Sequence, residues 1–438
     1  MANSLVKKLL NKIGRSTFGK SVLMLAGGTA IAQFLSVATS PIISRFFTPD
    51  DFGVLSIYVS ILSIVAVFAT LRYEFAIPIA EDDKSAINVL ALALLSVVAI
   101  SAISLVLFAL FSDGLADLLN AQQLKPYFWL ISVGILASGT YTAFRYWAFR
   151  KKNFKTITRT TVNQSVAHNV INIIWGLFIG GPIGLIIGTI VGRSAGIWTL
   201  SRDIRRDGKE HFDSVSLPEI RQLAKRYVKF PLFSSWAAIL NSLGIQLPVL
   251  LLSSMYGTEV TGSFGFANRI VALPMTFIGV AVGEVFFSEA SSIARTDPKR
   301  LLALSRKLNK KLILIGIVPF SVLAIFGPSL FSFVFGEAWR EAGQYASVLS
   351  FMVFARFVTT PVSRVFNILE KQFLGLLLNG FRAGIVLFAF VIAIHLNLVP
   401  LIAVILYAVT MVLVYLSTFI LSQIIILDSV KQFESNEG

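Results

Sequence analysis

The sequence predicts an all-α integral membrane protein with twelve transmembrane helices in two six-helix lobes, related by a pseudo-twofold axis along the membrane normal. Three observations support this fold class. The 438 residues are 55% hydrophobic and only 14% charged, whereas soluble domains carry about 25% charged residues. Twelve apolar stretches are long enough to cross the lipid core. The second half of the chain also repeats features of the first.

The predicted spans are separated by charged or Gly/Pro-rich breaks. They lie near residues 21–44, 53–80, 86–111, 126–148, 162–180, 183–200, 230–254, 263–288, 312–335, 343–368, 373–395 and 399–427. Because twelve is an even number, both termini face the same side of the membrane.

Lysine and arginine are distributed very unevenly between the predicted loops. With both termini in the cytoplasm, 28 of the 38 basic residues lie in cytoplasmic segments, three in outer loops and seven inside spans. This is the positive-inside pattern of a cytoplasmic membrane protein. It explains the net charge of +15 without a nucleic-acid partner.

The cytoplasmic stretch 201–229 divides the spans six and six. We predict two domains, 1–206 and 207–438, each opening with an amphipathic surface helix before its first span. The first surface helix covers residues 4–20. The second begins at Ser216, where the Ser-x-x-Glu spacing to Glu219 predicts a capping box.

The repeat is visible at three places in the sequence. Gly53 aligns with Gly262 and Arg145 aligns with Arg364, at offsets of 209 and 219 residues. The segment ending at Lys84 aligns with the segment that ends 215 residues later. Such parallel copies are typical of transporters built from two similar lobes.

Catalytic and metal-binding machinery is not recognisable in the sequence. The chain has no cysteine and three histidines, which excludes disulfides and thiolate sites and makes a histidine metal site improbable. Paired carboxylates and a nucleophile–histidine set are also missing. We therefore predict neither an enzyme nor a bound cofactor or metal.

Seven arginines lie inside predicted spans, where each costs about 2.5 to 3.5 kcal/mol at the membrane centre. They are Arg72, Arg145, Arg193, Arg269, Arg356, Arg364 and Arg382. Only two acidic residues, Glu74 and Glu284, lie clearly within spans. This surplus predicts a hydrated, cationic cavity between the lobes that takes an anionic cargo such as a phosphate.

A plainer interpretation stays open for the arginines near span ends. Arg145 and Arg269 could instead extend to the interface or bind backbone carbonyls. Arg72 and Glu74 are two positions apart, about 200° around a helix, so the spacing predicts that they do not pair with each other.

Polar residues recur at helical spacing on some spans, as a cavity-lining face requires. They include Gln33 on span one and Gln164, His168 and Asn172 on span five. The alternative is that they form hydrogen bonds between packed helices. On span six, glycine recurs every fourth residue from 184 to 196, which predicts close helix packing.

The run GGTAIAQFLSVATSPIISRFFTPDDFGVLSIYVSILSI, followed by LRYEFAIPIAEDDKSA, resembles the N-terminal region of Wzx-type O-antigen and capsule flippases. These belong to the multidrug/oligosaccharidyl-lipid/polysaccharide exporter superfamily. The resemblance is densest over residues 21–90 and extends in pattern over the whole chain.

This resemblance implies transport of an undecaprenyl-diphosphate-linked oligosaccharide from the inner to the outer leaflet of the bacterial cytoplasmic membrane, by alternating access. It implies that Arg72 and Glu74, in the "RYE" segment, belong to the cavity. Glu74 and Glu284 are candidates for coupling to H⁺ or Na⁺. Membrane lipid and other polysaccharide-assembly proteins are the further partners it suggests.

Two rival functions stay open. An ion-coupled drug exporter of the same superfamily would share the fold, but it should favour acidic residues in its cavity. A membrane polysaccharide polymerase or ligase would need a large outer loop, and the predicted outer loops are only about 4 to 14 residues long.

Overall fold

The computed structural model describes residues 17–294 and 296–437, and every regular element in these ranges is helical. Eleven helical stretches of this part are long and apolar enough to cross a membrane. The predicted surface helix over residues 4–20 lies almost entirely outside the described residues.

The helices follow the predicted spans closely. The first half contains α1 (Thr17–Ile43), α2 (Pro49–Val65), α3 (Asp83–Leu118), α4 (Phe128–Arg150), α5 (Phe154–Phe178) and α6 (Pro182–Ser194). Two shorter helices follow, α7 (Ile197–Gly208) and α8 (Leu217–Arg226). The second half contains α9 (Ser235–Val271), α10 (Val280–Ile293), α11 (Pro298–Phe335), α12 (Arg340–Ser363), α13 (Val365–Ile368), α14 (Gln372–His395) and α15 (Pro400–Glu437).

Helix α5 accounts for the difference between twelve predicted spans and eleven apolar ones. It has 25 residues, about 37 Å at 1.5 Å per residue, so it is long enough to cross. Threonine, asparagine, glutamine and histidine make up much of its first four turns. Its composition is therefore too polar for α5 to be one of the eleven long apolar stretches.

The second predicted span, near residues 53–80, is present, but it is broken rather than one regular helix. Helix α2 ends at Val65, and two short 3₁₀ segments, Ala66–Phe68 and Tyr73–Ala76, follow. Between them Leu71 and Arg72 have φ angles of 50° and 62°, the left-handed region that non-glycine residues rarely adopt. Hydropathy did not reveal this break because the segment stays apolar through it.

The eighth span is broken in a similar place. Helix α9 ends at Val271, a π-helical turn covers Met275–Gly279, and α10 then begins. Within α9, Gly257 has φ 80° and ψ −170°, which separates the seventh span from the eighth. Each half of the chain thus interrupts its second span, as expected of a repeat.

Packing divides the chain into two compact units, the first extending to Leu250 and the second beginning at Leu251. The linker helix α8 belongs to the first unit, where Leu223 is buried with Tyr73, Ile77 and Ala86. The boundary predicted at 206/207 follows the repeat rather than the packing, and it stays a prediction.

The predicted capping box at the start of α8 is wrong. Ser216 does precede the helix, but its side chain makes no capping hydrogen bond. Its backbone N–H instead donates to Oδ1 of Asn88 at 3.1 Å, and Nδ2 of Asn88 donates to the carbonyl of Ser214 at 3.1 Å. A buried amide of α3 therefore holds the linker from both sides.

The glycine stripe does permit close packing, as predicted. A Cβ added at Gly188 would lie 1.9 Å from Oδ1 of Asn172, and one added at Gly192 would lie 2.8 Å from Cβ of His168. Helix α6 therefore lies against α5 at a distance that leaves no room for a methyl group at these positions.

Candidate functional site

The break in the second span brings Arg72 and Glu74 together, so the prediction that they do not pair is wrong. Nη1 of Arg72 lies 3.4 Å from Oε1 of Glu74, and the hydroxyl of Thr70 donates to the other carboxylate oxygen. The 200° separation applies only to a regular helix, and Arg72 instead has left-handed backbone geometry. The carboxylate is buried by this turn.

Arg150, which the sequence did not single out, fixes the chain after the break. Its Nη1 donates to the carbonyls of Ile77 at 3.0 Å and Ala80 at 2.8 Å, with a longer contact to Pro78 at 3.4 Å. Its Nε donates to Asp83 at 2.9 Å. One guanidinium thus satisfies carbonyls that a broken helix leaves without partners.

Asp83 also binds Lys151, whose Nζ lies 2.5 Å from Oδ2. The hydrogen bond from Lys151 lowers the pKa of Asp83, and the contacts with Arg150 lower it further. Burial of the carboxylate raises the pKa but does not outweigh these contacts. The carboxylate therefore stays ionised and anchors the start of α3.

Arg145 lies one turn before this anchor on α4, and its side chain is exposed. Its guanidinium lies over the ring of Phe149, 5.3 Å from the centroid. The neighbouring Tyr146 is within electrostatic range of Glu74, Arg145 and Arg72. The first unit thus collects two arginines, one carboxylate and a phenol around the break.

Among the polar residues predicted on span five, Gln164 forms a contact between α5 and α6, whereas Asn172 and His168 contact each other within α5. Nε2 of Gln164 donates to the carbonyl of Arg193 at 3.0 Å, and Nδ2 of Asn172 lies 3.1 Å from Nε2 of His168. These contacts favour the packing alternative for that stripe. Gln33 on α1 is half-buried.

The side chain of Arg193 is half-buried on α6. Its charge acts on the phenol of Tyr58, which donates to the carbonyl of Leu130 at 3.0 Å. No carboxylate in the described ranges forms an ion pair with Arg193.

In the second unit, Arg364 pairs with Glu284 across two helices. Nη2 of Arg364 lies 2.8 Å from Oε1 of Glu284, although the residues are 80 positions apart in the sequence. Both side chains are partly accessible. Arg269, on α9, is exposed.

A second cationic group in this unit includes tyrosines that the sequence analysis missed. Arg356 on α12 and Arg382 on α14 are both within electrostatic range of Tyr407 and Tyr415 on α15. The tyrosines are eight residues apart, so they occupy one face of α15, and that spacing could have identified them. Nε of Arg382 is buried and has no hydrogen-bond partner among the described residues.

Among the described residues, two of the seven predicted arginines are therefore neutralised by a carboxylate and five are not. Within the described ranges, carboxylate partners within 4 Å are found for Arg72 and Arg364. The other five have no such partner in this part of the chain: Arg145, Arg193, Arg269, Arg356 and Arg382. In the described residues no group of three or more His, Asp or Glu is placed to hold a metal ion.

The chain matches a protein family described as "Polysaccharide biosynthesis protein" over residues 42–344. The succinoglycan biosynthesis transport protein ExoT of Rhizobium meliloti (strain 1021) is 22% identical over 363 residues, which cover 82% of this chain and 68% of ExoT. The lipopolysaccharide biosynthesis protein WzxC of Escherichia coli (strain K12) is 23% identical over 377 residues, covering 83% of this chain and 72% of WzxC.

Solved transporter structures share the fold. An inward-facing multidrug resistance MATE family transporter of the MOP superfamily gives a TM-score of 0.72 at 15% identity, covering 91% of this chain and 96% of that one. The lipid II flippase MurJ, in an inward closed conformation, gives 0.69 at 13% identity, covering 93% and 87%. At these identities the likeness shows the fold alone, and it confirms the predicted class of twelve helices in two lobes.

The family match extends over more than half of the chain. It agrees with the resemblance seen in residues 21–90 and with the two curated relatives. The chain is a multi-pass membrane protein that belongs to the polysaccharide biosynthesis protein family.

Proposed function

We propose that this protein is a flippase rather than an enzyme. It moves an undecaprenyl-diphosphate-linked oligosaccharide repeat unit from the inner to the outer leaflet of the bacterial cytoplasmic membrane, by alternating access through a cationic central cavity. The observation that carries this proposal is the group of five in-span arginines without a carboxylate partner in the described part of the chain.

Unpaired guanidinium groups are expensive in a membrane helix unless water or an anion reaches them. A diphosphate is suited to such a site because it carries more than one negative charge and several acceptor oxygens. The planar guanidinium binds phosphate oxygens through paired, charge-assisted hydrogen bonds. The polyprenyl tail would stay in lipid, so only the headgroup and sugars need a hydrated route.

Tyrosines within electrostatic range of two of these arginines support a glycan as part of the cargo. Tyr407 and Tyr415 accompany Arg356 and Arg382 in the second unit, and a phenol can hydrogen-bond to sugar hydroxyls. Gln33 stays a proposed cavity residue of the first unit. Gln164, His168 and Asn172 also stay proposals, although their contacts support packing between helices.

Orientation and coupling belong to the same proposal. The excess of basic residues in alternate loops supports placing both termini in the cytoplasm. Glu74 and Glu284 stay candidates for H⁺ or Na⁺ coupling, and Glu284 is the more accessible of the two. Membrane lipid and other polysaccharide-assembly proteins are proposed partners.

The test is deletion of the gene in its host, followed by complementation. We expect the deletion strain to accumulate lipid-linked repeat units on the inner leaflet and to lose surface glycan. Wild-type protein should restore export, whereas Arg356→Ala and Arg382→Ala should restore less than a tenth of it at equal membrane abundance.

The matched control is Arg340→Ala, because Arg340 is exposed and lies in an ion pair with Glu337 outside the predicted spans. It should restore export fully. A deletion strain with unchanged surface glycan and no accumulated repeat unit would overturn the proposed function. Full export by both span variants would remove Arg356 and Arg382 from the cavity.

A further inference from the structure

The two halves of the repeat each place one glutamate after the break in their second span. Glu74 follows the break after α2, and Glu284 follows the break before α10. They are 210 residues apart, an offset that lies between the 209 and 215 found on either side. The aligned arginines, Arg145 and Arg364, provide the equivalent cation in each half.

These equivalent residues are paired differently. In the first unit the side chain of Glu74 is only 3% exposed and is bound by Arg72 and by the hydroxyl of Thr70. The carboxylate of Glu74 is therefore paired within its own turn, and Arg145 has no ion pair among the described residues. Because Glu74 is buried, separating it from Arg72 would leave an uncompensated charge.

In the second unit both side chains of the pair are partly exposed at the protein surface. The side chain of Glu284 is 55% exposed and that of Arg364 is 30% exposed, and a single 2.8 Å hydrogen bond joins them. Within the described residues neither side chain has a second hydrogen-bond partner. Arg364 is held over α10, where a Cβ at Gly283 would lie 3.2 Å from its Nε and the Phe287 ring lies 5.9 Å from its Cζ.

We infer that Glu284 is a built-in competitor for the anionic headgroup: it occupies Arg364 in the unloaded protein and yields to the diphosphate of the cargo. This inference rests on the proposed function and deepens it, because it names the residue that the cargo headgroup has to displace. Exposed ion pairs are weak, so a ligand with more charge and more acceptor oxygens than a carboxylate can displace Glu284.

Competition of this kind lowers the affinity of every anion at Arg364 by the same factor. A tightly bound diphosphate stays bound at that lower affinity. A phospholipid phosphodiester carries one charge and binds weakly, so its occupancy falls. The ratio of the two affinities is unchanged, so the pair lowers only the fraction of sites that anionic membrane lipid occupies before cargo arrives.

The test measures dissociation constants of three lipids by native mass spectrometry of the full chain in detergent. The probes are undecaprenyl diphosphate, phosphatidylglycerol and the uncharged undecaprenol. Glu284→Gln should bind both anionic probes about two- to fivefold more tightly than wild type, the range expected for one exposed ion pair, and undecaprenol equally well. Glu284→Ala should repeat this result if the glutamine variant folds poorly.

Two controls separate the specific effect from a general change in charge. Glu337→Gln removes one acid from another exposed ion pair of the same unit and should leave all three constants unchanged. In a background of Arg364→Gln, the substitution of Glu284 should not increase the affinity for the anionic probes, because the guanidinium for which Glu284 and the probe compete is absent.

Unchanged binding of the anionic probes by Glu284→Gln overturns the inference, as does an equal gain in Glu337→Gln or a gain that persists without Arg364. A gain for phosphatidylglycerol alone also overturns it, because the site would then hold membrane phospholipid. A wild-type protein that binds undecaprenyl diphosphate no better than undecaprenol would instead contradict the proposed function.

Discussion

Replacing Arg150 with alanine should free the chain between the broken second span and α3. Two of its hydrogen bonds to carbonyls, to Ile77 and Ala80, are 3.0 Å and 2.8 Å long. A hydrogen bond to a charged group contributes about 1.5–3 kcal/mol, so these two give an upper range of about 3–6 kcal/mol. The Arg150 side chain is 13% exposed, and water can replace part of what is lost. We therefore expect the free energy of unfolding to fall by about 3 kcal/mol.

The measurement is an equilibrium unfolding titration in mixed micelles, followed by tryptophan fluorescence. Arg150→Lys should lose part of this stability, because lysine keeps a charge near Asp83 but cannot present the fork that reaches several carbonyls. Lys151→Ala is the matched control, since it removes the other cation of Asp83 without affecting the carbonyls.

An unfolding free energy for Arg150→Ala within about 0.5 kcal/mol of wild type would refute this reasoning, because changes of that size are typical of surface substitutions without a structural role. So would an equal loss in Lys151→Ala, because the effect would then come from Asp83 alone. Export in the complementation assay should fall with stability, since the same contacts hold the segment that carries Arg72 and Glu74.

Two further predictions concern packing and pH. Gly188→Ala should destabilise the protein by about 1–3 kcal/mol, because its Cβ would lie 1.9 Å from Oδ1 of Asn172. Gly114→Ala is the control and should leave stability unchanged, because no atom lies within 4 Å of a Cβ at that position. Equal unfolding midpoints for the two variants would contradict the close contact between α5 and α6. The pKa of Asp83 is lowered in the folded protein by its hydrogen bond from Lys151, so this carboxylate should stabilise the fold above the unfolded-state pKa near 4. That stability should be lost as the pH falls through the lower folded pKa, and unfolding midpoints of Asp83→Asn should show a smaller loss over the same acidic range.

Helix positions and close packing could be predicted because they depend on local properties of the chain. Apolar stretches of about 20 residues indicate spans, and the four-residue glycine period of α6 indicates a face that a neighbouring helix can approach closely. The seven in-span arginines could be found in the same way. Their partners could not, because a partner depends on where the backbone turns and on which distant helix lies alongside.

The pair of Arg72 and Glu74 illustrates the limit. Hydropathy and helical geometry predicted a regular helix through both residues, and in a regular helix they cannot meet. Two residues with positive φ reverse that conclusion without changing the apolar character of the segment. Arg150, at the end of α4, gave no signal beyond belonging to a basic cluster, since its partners are backbone carbonyls about 70 residues earlier.

The sequence alone determined that lipid surrounds this protein, that its elements are helices and that basic residues outnumber acidic ones inside them. Those properties depend only on the composition and spacing of residues that are close together in the sequence, so each segment can be interpreted by itself. Only the tertiary structure decided which arginines are neutralised and which are not. Whether a guanidinium has a carboxylate partner depends on a backbone break at Leu71 and Arg72, and on a contact between α10 and the end of α12 that joins residues 80 positions apart.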